Sequence, residues 1–437
     1  MVSLLIEALA KFSRIQENID EITAVKTTNQ SKAVINPNGN GYKWIILAIL
    51  FFLQASASMA IFSFGPLAPF LQEDLGITRA QIGMFSSAIY LGMVLFGTHA
   101  GWLTDKFGVR FFLIAGTGIM GLVFISLSMT HSFIPALLIV SIAGIGYQFI
   151  NPTTVKTLSD WFPPRMRATV IGFKQAAIAF GGAVAATLLP IIALSWGWRG
   201  AVIVIGLAIL VAVFLCLIFY RESFTETELS DRKLVTSKSL FQTVTNRNIL
   251  LQSAAGAVYC APSIATATYL VLYLIEIIHV SVVVAGTFLM VFQVANVGGR
   301  ILWGVISDRI FKGKRKGSLI IMGILMSMMS IITYFISPAT PLLLIYIIFA
   351  GFGFSTGING VHVTFLAELA GREMAATGVG FGAATSAVGM VIVPPVFGYI
   401  VDKTHSYGMA WLFLAAISAV GVILICFINE DNAVLSQ

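Results

Sequence analysis

Charge is what this 437-residue chain most lacks: Asp, Glu, Lys and Arg supply 10% of it, against roughly 25% in a soluble domain. No carboxylate falls in the middle of an apolar run. Glu276 and Asp402, and Asp105, Asp160, Asp308 and Glu368, lie near the ends of such runs, and the others lie in tails or loops. Cysteine is scarce too. Cys216, Cys260 and Cys426 stand far apart in apolar segments without a CxxC pattern, so neither a metal site nor a disulfide framework is implied. Clustered His/Asp/Glu sites and nucleophile constellations are also missing, which argues against an enzyme and against a bound cofactor. The net charge of +7 is spread over short loops instead of one basic domain, which excludes a nucleic-acid-binding face. Residues 1–25 are too polar for a cleavable signal peptide. Their apolar positions recur at near-helical spacing, which suits an amphipathic segment on a membrane surface or a weakly ordered tail.

What the chain has is long apolar blocks. Hydrophobic residues make up 58% of it, and a bilayer core of ~30 Å needs about 20 of them per helix. A membrane-length window picks out 44–64, 81–103, 111–129, 135–157, 168–194 and 200–220, then 249–275, 281–306, 318–336, 341–363, 376–401 and 409–428. The predicted fold is an all-α membrane protein with twelve transmembrane helices. The predicted division is a tail (1–43), a six-helix bundle (44–220), a polar linker (221–248), a second bundle (249–428) and a short tail (429–437). Basic residues collect on one set of loops, including Lys106, Arg110, Arg232, Lys233, Lys314, Arg315 and Lys316. The positive-inside rule then places both termini in the cytoplasm of a bacterial inner (plasma) membrane.

The two halves also repeat. Gly101-Trp-Leu-Thr-Asp105-Lys-Phe-Gly108-Val-Arg110 recurs in weaker form as Gly304-Val-Ile-Ser-Asp308-Arg309. Gly144-Ile-Gly146-Tyr147 parallels Gly351-Phe-Gly353-Phe354, with Asn151 and Asn359 downstream. Such a repeat predicts two pseudo-symmetric bundles with a cleft between them. The 101–110 stretch resembles the G-x-L-x-D-r-x-G-x-R loop of the major facilitator superfamily, and the resemblance extends over 42–428. It implies a transporter working by alternating access. In that family the motif residues, here Gly101, Asp105, Gly108 and Arg110 with Gly304, Asp308 and Arg309, gate the conformational change.

Two cations are embedded in the apolar segments, Lys174 in the fifth and Arg300 in the eighth. Both could snorkel to an interface, but each is flanked by small or polar residues that suit a water-filled cavity. Two cations with no embedded acid nearby call for an anion. Asn296-Val-Gly-Gly-Arg300-Ile-Leu-Trp-Gly304 resembles the oxalate/formate and monocarboxylate branches, where the arginine binds substrate carboxylate. A planar guanidinium fits a carboxylate bidentately. Trp161-Phe-Pro-Pro-Arg-Met-Arg167 resembles a segment of the organic anion symporter branch, with Met166 where that branch has Glu. Other candidates for contact with substrate are Gln54, Tyr90, Gln148, Asn151, Tyr269, Gln293, Asn296 and Asn359, each of which could instead hydrogen-bond between helices.

The expected activity is secondary transport of a small organic anion, a carboxylate, by a monomer in a lipid bilayer. Proton symport is the expected coupling, through His362, Lys174 or the substrate itself. Anion exchange needs no proton site and stays open. Efflux of drugs or organic cations on the same fold would call for an embedded acid. A membrane receptor or sensor would call for an output domain that the short linker has no room for.

Overall fold

The computed structural model describes residues 41–220, 243, 245–371 and 374–430, with the side chains at 97–103, 105–107, 164–165, 168 and 376 outside the description. The 1–25 stretch, most of the predicted linker and the side-chain setting of Gly101 and Asp105 therefore lie outside the described residues. All described elements are helices. The first half contains α1 (Tyr42–Ile61), α2 (Phe64–Leu75), α3 (Arg79–Phe107), α4 (Val109–Leu127), α5 (Phe133–Gln148), α6 (Ile150–Trp161) and α7 (Pro164–Phe219). The second contains α8 (Arg247–Ile278), α9 (Val282–Arg309), α10 (Arg315–Tyr334), α11 (Leu342–Ser355), α12 (Asn359–Ala370), α13 (Ala375–Thr404) and α14 (Tyr407–Cys426).

Eleven continuous stretches among the described residues are long and apolar enough to cross a bilayer. The longest lies in α7, which leaves helical geometry at Gly197 (φ 68°, ψ 172°), so it holds both the fifth and the sixth crossings. That makes twelve. A left-handed φ is open to glycine without the Cβ clash other residues meet there, so one residue replaces the predicted loop. The first crossing is longer than hydropathy suggests. After a break at Phe62 and Ser63 it continues as α2 to Leu75, where Gly76 (φ 60°) stops it. Polar Gln72, Glu73 and Asp74 end the apolar window early but do not end the helix. Next, Thr78 and Gln81 form a reciprocal capping box that starts α3.

The internal repeat is visible in the packing. In the first half α1 packs on α7, α3 on α5 and α4 on α7. In the second, α8 packs on α13, α9 on α11 and α10 on α14. Glycines set the closest approaches. A Cβ at Gly144 would lie 2.0 Å from the Ile89 carbonyl oxygen, and one at Gly353 would lie 2.2 Å from that of Phe292. The α3–α5 contact and its counterpart α9–α11 thus use Gly144 and Gly353, not the Gly144–Gly351 pairing that the sequence suggests. Gly181 against Ala55 (2.1 Å) and Gly389 against Ala257 (1.9 Å) form the second matched pair.

The seam between halves is made by α3 with α13, α7 with α9, and α2 with α8. Between described residues, the hydrogen bonds and ion pairs that join the halves all lie toward the end where α3 starts, the Arg79 end. At the opposite end, Arg315 binds Asp308, Glu368 and Ser307, and Lys316 binds the carbonyls of Cys426 and Ile428, all within the second half. Among the described residues the halves are therefore clamped at the Arg79 end, and the ion pairs given at the other end stay within the second half.

Candidate functional site

The backbone of α9 at Arg300 packs against the break between α11 and α12. There Asn296 Nδ2 donates to Thr356 Oγ1 at 2.9 Å, and a Cβ at Gly357 would lie 2.6 Å from the Arg300 backbone nitrogen. The absent side chain at Gly357 lets the broken crossing sit on α9. The guanidinium lies within electrostatic reach of the Tyr90 and Tyr147 hydroxyls in the first half and the Cys260 thiol in the second. Its Nε is buried without an acceptor. An unpaired buried donor of a charged group is uncommon and costly. No carboxylate is in range to satisfy it among the described residues.

Polar groups from both halves surround this cation. Gln54 Nε2 donates to Tyr147 OH at 3.0 Å and to Ser58 Oγ at 3.2 Å. Tyr90 is 7% exposed and lines a small cavity with Phe62, Ser86, Ile264 and Thr268, beside the clamped end. Across from them, the Cys260 Sγ donates to Asn359 Oδ1 at 3.8 Å, and Asn359, the first residue of α12, is exposed. Cys260 was read from sequence only as a member of an apolar segment. Its neighbours come from α9 and α12, remote in sequence, so nothing local marks it.

Lys174 is set apart from this cluster. Its side chain is 0% exposed, and Nζ donates to Asn151 Oδ1 at 3.0 Å. Full burial removes the snorkelling alternative: the amine does not reach an interface. Tyr147 and Asn151 lie four residues apart, on either side of the α5–α6 break at Phe149. Lys174 thus pairs with the far side of the interruption whose near side faces Arg300.

The remaining expected residues take varied places. Gln293 is buried against the seam, where a Cβ at Gly182 would lie 2.8 Å from its Nε2, and that Nε2 has no partner. Gln148 is half-buried. His362 is packed inside the second half, with Nδ1 2.9 Å from Gln252 Nε2 and Nε2 3.4 Å from Ser386 Oγ. Tyr269 belongs to the clamp: its hydroxyl lies 2.8 Å from both the Arg79 and the Pro394 carbonyl oxygens. Gly108 (φ 92°) joins α3 to α4, and Arg110 donates to the Leu217 carbonyl at 3.4 Å. In the second half Asp308 pairs with Arg315, whereas the neighbouring Arg309 is exposed, and a Cβ at Gly304 would meet nothing within 4 Å.

The clamp itself was not assembled from sequence. Arg79 Nη2 meets Glu276 Oε2 at 2.6 Å, its Nη1 meets Asp402 Oδ1 at 3.4 Å, and its Nε donates to Tyr407 OH at 3.2 Å. Asp402 also accepts from the Ala80 backbone N–H at 2.9 Å. The available signal was a rare basic residue on the sparsely charged side, with acids at the ends of the seventh and eleventh crossings.

Comparison with known proteins agrees with this architecture. The family model for the Major Facilitator Superfamily matches residues 50–381 and 263–436. The chain is 27% identical to the probable sulfoacetate transporter SauU of Cupriavidus necator, covering 83% of this chain and 88% of that one. It is 24% identical to the hexuronate transporter of Bacillus subtilis (82% and 88% covered) and 25% identical to the probable L-galactonate transporter of Escherichia coli (82% and 83% covered). A solved structure of a bacterial homologue of the human lysosomal transporter Spinster, inward-facing and occupied, superposes with a TM-score of 0.73 at 16% identity, covering 91% of this chain and 97% of that one. With the helix count, the repeat and the seam, these matches lead to one assignment: the chain belongs to the major facilitator superfamily and is a multi-pass membrane transporter, not an enzyme.

Proposed function

We propose that this protein is a secondary transporter that carries a small carboxylate anion by alternating access, in symport with protons. The observation that carries the reading is Arg300, an embedded guanidinium with a buried, unpaired Nε and no carboxylate in reach among the described residues. An anion bound there gains a charge-assisted, bidentate contact that the protein itself leaves unfilled. Tyr90, Tyr147, Gln54 and Asn359 supply hydroxyl and amide groups for the rest of a polar substrate. Relatives named for sulfoacetate, hexuronate and L-galactonate support an organic acid as cargo. Export of an organic cation finds no acid near the site among the described residues to receive it.

The basic loops assign the Arg315 end to the cytoplasm. The structure then corresponds to a state closed on the outside by the Arg79 clamp. Rocking of the halves would break the clamp and close the opposite end around the bound anion.

The experiment is thermal unfolding of the purified protein with a panel of carboxylates, repeated with Arg300→Ala and Arg300→Lys. A ligand at a hundredfold excess over its Kd stabilises the folded state by about 2.7 kcal/mol. One acid should raise Tm in the wild type, and both variants should lose the shift while remaining folded. A shift of wild-type size in Arg300→Ala would sink the reading.

A further inference from the structure

We infer that Lys174 is the proton-carrying group of this transporter, exchanging its proton while hydrogen-bonded to Asn151 and leaving the anion to Arg300. The inference rests on the symport reading above and names the residue that performs the coupling. Three observations support it.

Lys174 is fully enclosed, so no substrate group reaches its amine in this state. Among the described residues the Nζ donates to one partner, the neutral amide oxygen of Asn151. No carboxylate among the described residues forms an ion pair with it. On the facing crossing, the ionisable residues that flank Asn151 are Tyr147, occupied by Gln54, and Lys156, which is exposed. On α1, packed against α7, they are Tyr42 and Lys43 at its first turn, and on α9 the embedded one is Arg300. A buried ammonium with no counter-charge is disfavoured, whereas a neutral amine with one hydrogen bond is tolerated. His362 is also buried, but inside the second half between Gln252 and Ser386, away from the seam.

The charges also balance. When the enclosure opens past the exposed Asn151, Lys174 gives its proton to entering water and keeps an N–H donated to Asn151. Arg300 is then the one embedded cation among the described residues, so the empty site bears one positive charge. With substrate bound, a monoanion neutralises Arg300 while the protonated Lys174 supplies the same single charge. Empty and loaded carriers therefore cross with equal charge, and one proton moves with one monoanion. The geometry gives a route for coupling: Tyr147, beside Arg300, and Asn151, on Lys174, are one turn apart across the break at Phe149.

The test uses the full chain in proteoliposomes with labelled sulfoacetate, D-glucuronate and L-galactonate as probes. Counterflow reports the anion site, and accumulation driven by a pH gradient reports coupling. In Lys174→Gln and Lys174→Met, counterflow should persist while accumulation falls to the equilibrium level. Accumulation retained in both variants, or counterflow lost together with it, overturns the assignment. If the wild type exchanges none of the three probes, the anion reading fails for them, and Lys174 is decided on the unliganded protein. An alkaline step over proteoliposomes on a supported membrane should displace charge in the wild type. The transient should vanish in Lys174→Gln and in Asn151→Asp, where a carboxylate holds the proton in place. Transients equal to wild type in both variants overturn the inference.

Discussion

Arg79 Nη2 stands 2.6 Å from Glu276 Oε2, tying the first residue of α3 to the last turn of α8 across the seam. Both side chains are a little under one-third exposed, so solvent screens the pair. The backbone bonds to Asp402 and the Tyr269 hydroxyl add to the same junction. The Arg79→Gln variant should therefore loosen the clamp. Partly exposed pairs of this kind contribute about 1 kcal/mol, roughly a fivefold shift in a two-state equilibrium. The check is alkylation, by an impermeant reagent, of a cysteine placed at Thr268, which meets Ser86 in the seam. Labelling should rise about fivefold on this scale, and an unchanged rate would remove the clamp from the gating account.

Tyr269 acts on the same junction through the Arg79 carbonyl. Tyr269→Phe deletes a buried hydroxyl worth about 1 kcal/mol. Its effect on Thr268→Cys labelling should not add to that of Arg79→Gln, because both variants open one contact. A double-mutant cycle measures this directly, and full additivity would mean that the two groups gate independently.

Helix approach through glycine makes a sharper prediction with its own control. Gly144→Ala and Gly389→Ala place a Cβ about 2 Å from a facing carbonyl oxygen. They should lower stability by about 1–3 kcal/mol through overpacking. Gly118→Ala, also in a helix but with nothing within 4 Å of the new Cβ, should be neutral or slightly stabilising. Thermal unfolding in one detergent ranks the three, and equal losses would mean that helix propensity, not contact, sets the outcome.

At the opposite end, Arg315 is 14% exposed and shared between Glu368 at 21% and Asp308 at 63%. Glu368→Gln should destabilise the second half by about 1–3 kcal/mol, since it removes the charge partner of a largely buried guanidinium. The Asp308→Asn change should cost less, because water replaces that contact. Unfolding midpoints of the two variants test the order.

Much of the architecture was legible because hydropathy repeats on the scale of the bilayer, and a repeated chain must pack its halves alike. The turn at Gly197 and the continuation through Leu75 were not, since windowed averages blur single residues and overlook a polar last turn. The site was half legible. An arginine in an apolar run announces itself through its cost, and so does a lysine. Their partners do not, because Cys260, Asn151 and the Tyr147–Gln54 pair reach them only through the contacts of separate helices. The break at Phe149 did carry a signal, Pro152, which lacks the N–H that would continue α5; the one at 356–358 has neither proline nor charge to mark it.

The seam at the clamped end is built from unusually thin material. A Cβ at Gly65 would lie 2.0 Å from the Ala267 carbonyl oxygen and one at Gly286 would lie 2.1 Å from that of Ala186, while Ser86 meets Thr268 and Ser87 meets the Val391 carbonyl. At these four contacts backbones and hydroxyls, not large side chains, face each other. Wetting such a surface exposes little hydrocarbon, at about 25 cal/mol per Å² of apolar area. Water entering from that side would find carbonyls and hydroxyls ready to solvate it, so the halves can part without the penalty of opening a core.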